Sequence, residues 1–260
     1  PENMLWDVLV EPARKIRIGN KLYFGPNLMA EVIDNTTSRG RTIRFLFEGS
    51  NEELYNILDN IGEMPLPPYI ERDAKEEDKE QYQSIFAKER GSVAAPFAAM
   101  HFTDELVEKL EDKGVQMLPI TMHIGWGTFR PCEVEDLTKH RTDSENYYIS
   151  EETSAKINEA LANPDQKVVA CGTTSVRTIE TSITASGISK PGTGWTDKFI
   201  FPPYDFKITE GVITNFHRPE STMLMLGAAF GGYDFLMEAY EEAQENDYRF
   251  FAFGDAMLII

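Results

Sequence analysis

The stretch KVVACGTTSVRTIE, residues 167–180, runs from an apolar, β-branched segment through Gly172 and three hydroxyl residues into a helical pattern. A strand that turns through glycine straight into a helix is the repeating joint of a layered α/β domain. Its surroundings repeat the joint. Upstream, a helix over DELVEKLEDKG (104–114) leads into a strand over VQMLPITMHI (115–124), and a helix over EETSAKINEALAN (151–163) leads into residues 167–172. Downstream come the extended FIFPP, a strand GVITNF (211–216), and helices over STMLMLGAAF (221–230) and GYDFLMEAYEEAQEN (232–246). A solvated helix is predicted over the acidic DAKEEDKEQYQSIFAKE (73–89). Ligands in such domains bind beyond the carboxyl ends of the strands, which directs attention to His123, to the 172–175 turn and to Asn215–His217.

The first part of the chain reads differently. LWDVLV, NKLYFG, LMAEVID and TIRFLF are short β-branched and aromatic runs separated by Gly, Pro and Asn, and predict a four-stranded meander, part of a small barrel or sandwich. NEELYNILDNIG places Leu54, Ile57 and Leu58 on one helical face before a glycine stop, and the prolines of MPLPPYI mark a hinge. The expected organisation is therefore a partial β-barrel-like domain with a closing helix over 1–62 and an α/β catalytic domain over 63–260.

Composition narrows the class. The 260 residues are 42% apolar and 26% charged, as in an ordinary soluble protein, and a cytoplasmic location is expected. Cys132 and Cys171 stand far apart without metal-ligand spacing. A net charge of −18 argues against loose, charge-driven binding to nucleic acid, yet residues 1–47 hold seven basic against five acidic side chains. Arg14, Lys15 and Arg17 head the resulting candidate nucleic-acid contacts. The chain starts at Pro1, which suggests a fragment of a longer protein.

All four histidines fall in polar loops or beside acidic residues: His101, His123, His140 and His217. Imidazole exchanges protons near neutrality, so these loops are candidates for acid/base chemistry. The Gly172-Thr173-Thr174-Ser175 turn suits an anionic group at a helix N-terminus or serves as an ordinary helix cap, and it lacks the lysine of a nucleotide-binding P-loop. In HIGWGTF, two glycines around Trp126 allow a flat ligand near the backbone, with Thr128 as a hydroxyl. KHRTDSE gathers His140, Arg141, Asp143 and Glu145 in a spacing that matches no usual zinc pattern but suits an acid/base pair with an orienting carboxylate. TNFHRPEST offers Asn215, His217, Ser221 and Thr222 at a strand-to-helix junction.

In order along the chain, IGEMPLPPYI, YQSIFAKERGSVAAPFAAMHFT, MHIGWGTFRP, VVACGTTSVRTIET, TNFHRPESTMLML and YRFFAFGDAMLI closely resemble the S-adenosylmethionine:tRNA ribosyltransferase-isomerases of bacterial queuosine synthesis. The resemblance implies a barrel-like domain inserted into an α/β domain, and an additional N-terminal stretch. It implies transfer and isomerisation of the ribosyl part of S-adenosylmethionine onto 7-aminomethyl-7-deazaguanine at the tRNA wobble position, with release of adenine and methionine; the alternatives are a phosphoribosyl-type or other nucleoside-binding transferase that uses the 172–175 turn for phosphate, and a catalytically impaired tRNA-binding module. It further implies S-adenosylmethionine as donor substrate, tRNA as partner, no metal, no membrane association and a monomer.

Carried over residue by residue, PFAAMHF keeps the family's His101 but has Phe97 for Thr and Ala99 for Gly. The histidine-glycine loop is kept at His123, Gly125, Gly127 and Thr128. In the family's HxMHSE element His140 and Glu145 survive, while the second histidine is Asp143, and NFHLPEST carries Arg218 for Leu. On this basis His101 and His217 are expected to transfer protons, with Glu145 as base or orienter and His140 beside it. Gly172, Thr173, Thr174 and Arg177 are expected to hold a carboxylate or phosphate, Asn215 ribose hydroxyls, and Trp126 a base by stacking. His123, Gly127, Thr128, Ser221 and Thr222 complete the expected substrate contacts.

Overall fold

The computed structural model describes residues 4–36 and 40–260 and divides into two compact units, Pro1–Met64 and Pro65–Ile260. Of the basic and acidic residues counted near the start of the chain, Glu2 and Arg39 lie outside the described residues.

In the first unit the four β-branched runs form β1 (Leu5–Leu9), β2 (Lys21–Tyr23), β3 (Met29–Asn35) and β4 (Gly40–Phe45). They lie in the order β1-β4-β3-β2, all antiparallel, in a sheet that stays open. The predicted meander therefore holds from β2 to β4 but not for β1, which pairs with β4, Leu5 opposite Arg44 and Leu9 opposite Gly40. The physical reason sits in the β1–β2 connection. Buried Arg41 on β4 donates to the carbonyls of Ala13 (2.6 Å) and Ile16 (2.8 Å), folding that connection against its own strand. Ala30, Val32, Ile43 and Phe45 pack with Leu54 of helix α1 (Asn51–Ile61). Ser50 and Glu53 close α1 with a reciprocal capping box, and Gly62 ends it by donating to the Leu58 carbonyl at 2.7 Å.

The second unit holds two three-stranded sheets. One is antiparallel, in the order β5 (Ile120–His123), β6 (Glu145–Ile149), β8 (Gly192–Thr196). The other runs β10 (Ala256–Ile259), β9 (Gly211–Asn215), β7 (Val169–Cys171), with β7 and β9 parallel. Helix α5 (Thr173–Ser182) touches strands of both sheets and is buried on nearly every side. Val176 and Ile179 of α5 join Ala170, Val212, Ile157 of α4 (Glu151–Leu161) and Leu226 of α6 (Thr222–Gly231) in the main core. Phe216, Leu236 and Tyr240 of α7 (Tyr233–Glu245), with Ile259, form a second core.

The acidic segment 73–89 is not one helix. Only α2 (Asp78–Gln81) forms there, because Asp78 turns inward. Its carboxylate receives both terminal nitrogens of Arg72 (2.7 Å each) and the Lys75 amide (2.7 Å), and these bonds hold its pKa down to about 2. Helix α3 (Asp104–Glu111), capped by Thr103, precedes β5, which is shorter than the predicted run and begins after Pro119. Strands β6, β8 and β10 have no counterpart in the elements expected from sequence.

Candidate functional site

The parallel pair β7 and β9 ends on one side, and the two ends supply the turns singled out in the sequence. At the end of β7, Gly172 takes φ +91°, a left-handed conformation that favours glycine, and α5 begins at the next residue with no side-chain cap. Its first residues line a cleft of about 40 Å³ whose lining includes Gly172, Thr173, Thr174, Thr214, Asn215, His217, Thr128 and Phe129. A larger cleft of about 160 Å³ shares Phe97, Thr128, Phe129, His217 and Met223. Tyr69, Phe251, Arg130, Arg218 and Ser221 are also in its lining.

Asn215, the last residue of β9, is 1% exposed and holds three segments together. Its Nδ2 donates to the carbonyls of Phe251 (2.9 Å) and Gly254 (3.4 Å), so Oδ1 faces His101 Nε2 at 3.1 Å. An amide oxygen only accepts, which requires a proton on Nε2 of His101 and leaves Nδ1 the lone pair of the neutral ring. Phe251 and Phe253 around these carbonyls have φ of 72° and 58°, left-handed values uncommon for aromatic residues. His101 itself, at the end of a 3-10 turn from Phe97, lies one hydrogen bond behind the smaller cleft.

His217 lines both clefts and is buried. Its Nε2 meets Thr214 Oγ1 at 2.6 Å, and its backbone N–H donates to the Tyr240 hydroxyl at 2.8 Å. Burial lowers the imidazole pKa to about 4, so His217 is neutral at pH 7. Beyond it, Ser221 accepts the Leu224 amide (3.1 Å) as the cap of α6 and donates to the Arg218 carbonyl (2.8 Å). Thr222 sits in the first turn of α6 and lines neither cleft. Arg218 lies over the Tyr69 ring, 5.1 Å from its centroid.

The remaining expected residues sit around these clefts rather than in them. Trp126 and Gly127 belong to a 3-10 turn (Trp126–Phe129), and Trp126 packs edge-on to Phe129 at 5.2 Å. Phe129, from the same motif, lines both clefts. Asp143 lies over Gly127, where any Cβ would collide with its carboxylate, and pairs with Arg130. His123 ends β5 with its Nδ1 buried and unpartnered and its ring against Gly91. His140 packs edge-on to Phe199 at 4.9 Å, and burial together with nearby Arg130 lowers its pKa. Glu145 and Arg177 form a buried pair at 2.7 Å. Among the described residues no hydrogen bond joins His140 to Glu145. Arg14, Lys15 and Arg17 are exposed on the β1–β2 connection of the first unit.

Thr214, Phe129, Tyr69, Phe251 and Arg130 were not singled out from sequence. Thr214 and Phe129 adjoin motif residues and had a signal in that adjacency. Tyr69 and Phe251 lie far from those motifs, and their signal was membership of the stretches IGEMPLPPYI and YRFFAFGDAMLI that carry the family resemblance. Cys132 and Cys171 are free thiols, and burial pushes Cys171 up to about 12. Among the described residues no group of three or more His, Cys, Asp and Glu side chains could hold a metal ion, and no helix is long and apolar enough to cross a membrane.

Comparisons with known proteins cover almost the whole chain. A family model described as queuosine biosynthesis protein matches residues 1–259. An S-adenosylmethionine:tRNA ribosyltransferase-isomerase of Cytophaga hutchinsonii is 56% identical over 257 residues, 98% of this chain and 74% of the relative. One of Phocaeicola vulgatus is 55% identical over 261 residues, covering 100% and 74%. The crystal structure of S-adenosylmethionine tRNA ribosyltransferase from Thermotoga maritima is similar with a TM-score of 0.51 at 33% identity, covering 99% of this chain and 71% of that one. With a match that runs from the first strand to the last, the chain belongs to the queuosine biosynthesis protein family.

Proposed function

We propose that this chain transfers and isomerises the ribosyl moiety of S-adenosylmethionine onto 7-aminomethyl-7-deazaguanine at the tRNA wobble position, releasing adenine and methionine. The observation that carries this reading is the convergence of Gly172–Thr174, Asn215 and His217 from two parallel strand ends onto adjoining clefts. The reaction needs removal of a proton from the ribose carbon beside the sulfonium, assistance to departing adenine, attack by the amine and closure of an epoxide by a ribose hydroxyl. The sulfonium acidifies that carbon and activates methionine as a leaving group, so the scheme uses no metal.

A neutral His217 suits this substrate. An imidazolium beside the clefts would repel the sulfonium, whereas a neutral ring donates or accepts hydrogen bonds without that cost. We assign proton transfer to His217, which lines both clefts, with His101, which lines neither, supporting it from behind the smaller cleft through its hydrogen bond to Asn215. Asn215 orients His101 rather than gripping ribose hydroxyls, since its amide already serves His101 and the Phe251 and Gly254 carbonyls, while the uncapped start of α5 with Thr173 and Thr174 receives an anionic group. The aromatic walls and the two arginines of the larger cleft suit a nucleobase with its phosphates. The protein acts as a cytoplasmic monomer, and Arg14, Lys15 and Arg17 contribute to gripping tRNA.

The test is adenine release from S-adenosylmethionine in the presence of tRNA carrying the aminomethyl base. Release that depends on the modified tRNA is expected, and His101→Ala and His217→Ala should each abolish most of it. Salt-sensitive tRNA binding without turnover would instead make the chain a binding module, and near-normal turnover in both variants would sink the acid/base assignment.

A further inference from the structure

We infer that Glu145 serves this reaction as a positioning residue, bracing the turn that carries Thr128 and Phe129 against helix α5, and is not its base. The inference rests on the reading above for the identity of the reaction, but its geometry stands apart. Glu145 is 4% exposed and lines neither cleft. Both carboxylate oxygens are committed. Oε1 accepts the Gly125 amide at 3.0 Å, and Oε2 accepts Arg177 Nη1 at 2.7 Å. A general base must come within hydrogen-bond reach of the proton it takes, and this carboxylate is directed away from both cavities into two donors.

Those donors belong to two elements that each contribute residues to the lining of the smaller cleft. Gly125 starts the 3-10 turn Trp126–Phe129, which contributes Thr128 and Phe129. Arg177 projects from α5, which contributes Thr173 and Thr174, and it is itself anchored by Nε donating to the Lys198 carbonyl at 2.9 Å. One buried carboxylate therefore sets the separation between the turn and the helix. A glutamine offers one acceptor and one donor where two donors converge. Either the Gly125 amide or Arg177 then loses its partner.

The test compares wild type with Glu145→Gln, Arg177→Met and the double variant. In Glu145→Gln, KM for S-adenosylmethionine should rise about tenfold with kcat falling less than tenfold, and the shape of the pH–rate profile should be kept. The double variant should be no worse than the poorer single one, because the two residues act as a unit. Amide hydrogen exchange at Gly125 should quicken at least tenfold in Glu145→Gln while β7 and β9 stay protected, which also shows that the variant is folded. A loss of kcat of a thousandfold or more with the acid limb of the profile removed would make Glu145 the base and overturn the inference. A lowered melting temperature with KM, kcat and exchange at Gly125 unchanged would overturn it too. If wild type releases no adenine, the functional reading falls, and exchange at Gly125 still decides whether Glu145 braces the turn.

Discussion

Replacing Glu180 by glutamine should destabilise the second unit more than any exposed substitution, because of where its carboxylate points. Glu180 on α5 is 1% exposed, and Oε1 accepts the amides of Ile208 (3.0 Å) and Thr209 (2.9 Å) and the Thr209 hydroxyl (3.0 Å). Oε2 accepts the Lys207 amide at 3.0 Å. Glutamine keeps one oxygen for the first group but sets an NH2 against the Lys207 amide. That donor keeps only its longer bond to Oε1 at 3.2 Å, a loss of about 1–2 kcal/mol, and reducing three charge-assisted bonds to neutral ones costs about 0.5–1 kcal/mol each. The sum is about 2.5–5 kcal/mol, a large share of a typical total stability of about 5–15 kcal/mol. Urea unfolding followed by circular dichroism should show this loss, and thermal melts a drop on the order of 10 °C. Glu238→Gln on the exposed face of α7 is the control and should leave the midpoint unchanged. A loss below about 1 kcal/mol for Glu180→Gln would refute the reasoning, since it would mean the loop entering β9 does not depend on this carboxylate.

Four further outcomes are expected. His217 titrates near pH 4 in the fold against 6.5 unfolded, so its contribution is complete above pH 6.5 and is lost as pH falls toward 4; the loss is about 3 kcal/mol, and His217→Asn should flatten the fall in stability across that window. Asn215→Asp turns a carboxylate oxygen toward the Phe251 and Gly254 carbonyls and favours a protonated His101, so adenine release should drop about a hundredfold; activity within twofold of wild type would dismiss the Asn215 hub. Arg41→Ala removes buried bonds to Ala13 and Ile16 and should cost about 3 kcal/mol, with limited proteolysis appearing in residues 10–20; resistance equal to wild type would contradict this. Reversing the charges of Arg14, Lys15 and Arg17 should weaken tRNA binding and flatten its salt dependence, and an unchanged binding isotherm would move the contact surface elsewhere.

Much of the fold was legible where local chemistry and tertiary environment agree. Residues 167–180 announce a strand, a left-handed glycine and a helix, and each is present: Ala170 anchors the strand in the core, Val176 and Ile179 anchor the helix, and glycine takes φ +91° cheaply. The Ser50–Glu53 capping box is equally local. Strand β8 was hidden because GTGWT carries two glycines, poor strand formers by propensity. Gly194 is there for its neighbour, since a Cβ would stand 2.5 Å from the Tyr147 hydroxyl across the sheet. The segment 73–89 misled in the opposite direction, its acidic composition resembling a solvated helix until Arg72 captures Asp78. At the candidate site the strand-end turns were visible as motifs. The commitments of Glu145 and Glu180 were not, because a glutamate in a sequence does not reveal which donors will surround it.

The order β1-β4-β3-β2 also has a temporal meaning. Strands β2, β3 and β4 follow one another closely in sequence and can zip up as successive hairpins, whereas β1 finds its neighbour only after the chain has continued to Gly40–Phe45. Trp6 stays without Phe45 and Tyr55, its ring neighbours in the finished unit, until that moment. As the protein is synthesised, β1 emerges before the other three strands of this sheet yet is the last of them to be seated, and the history of the small sheet runs against the direction of its sequence.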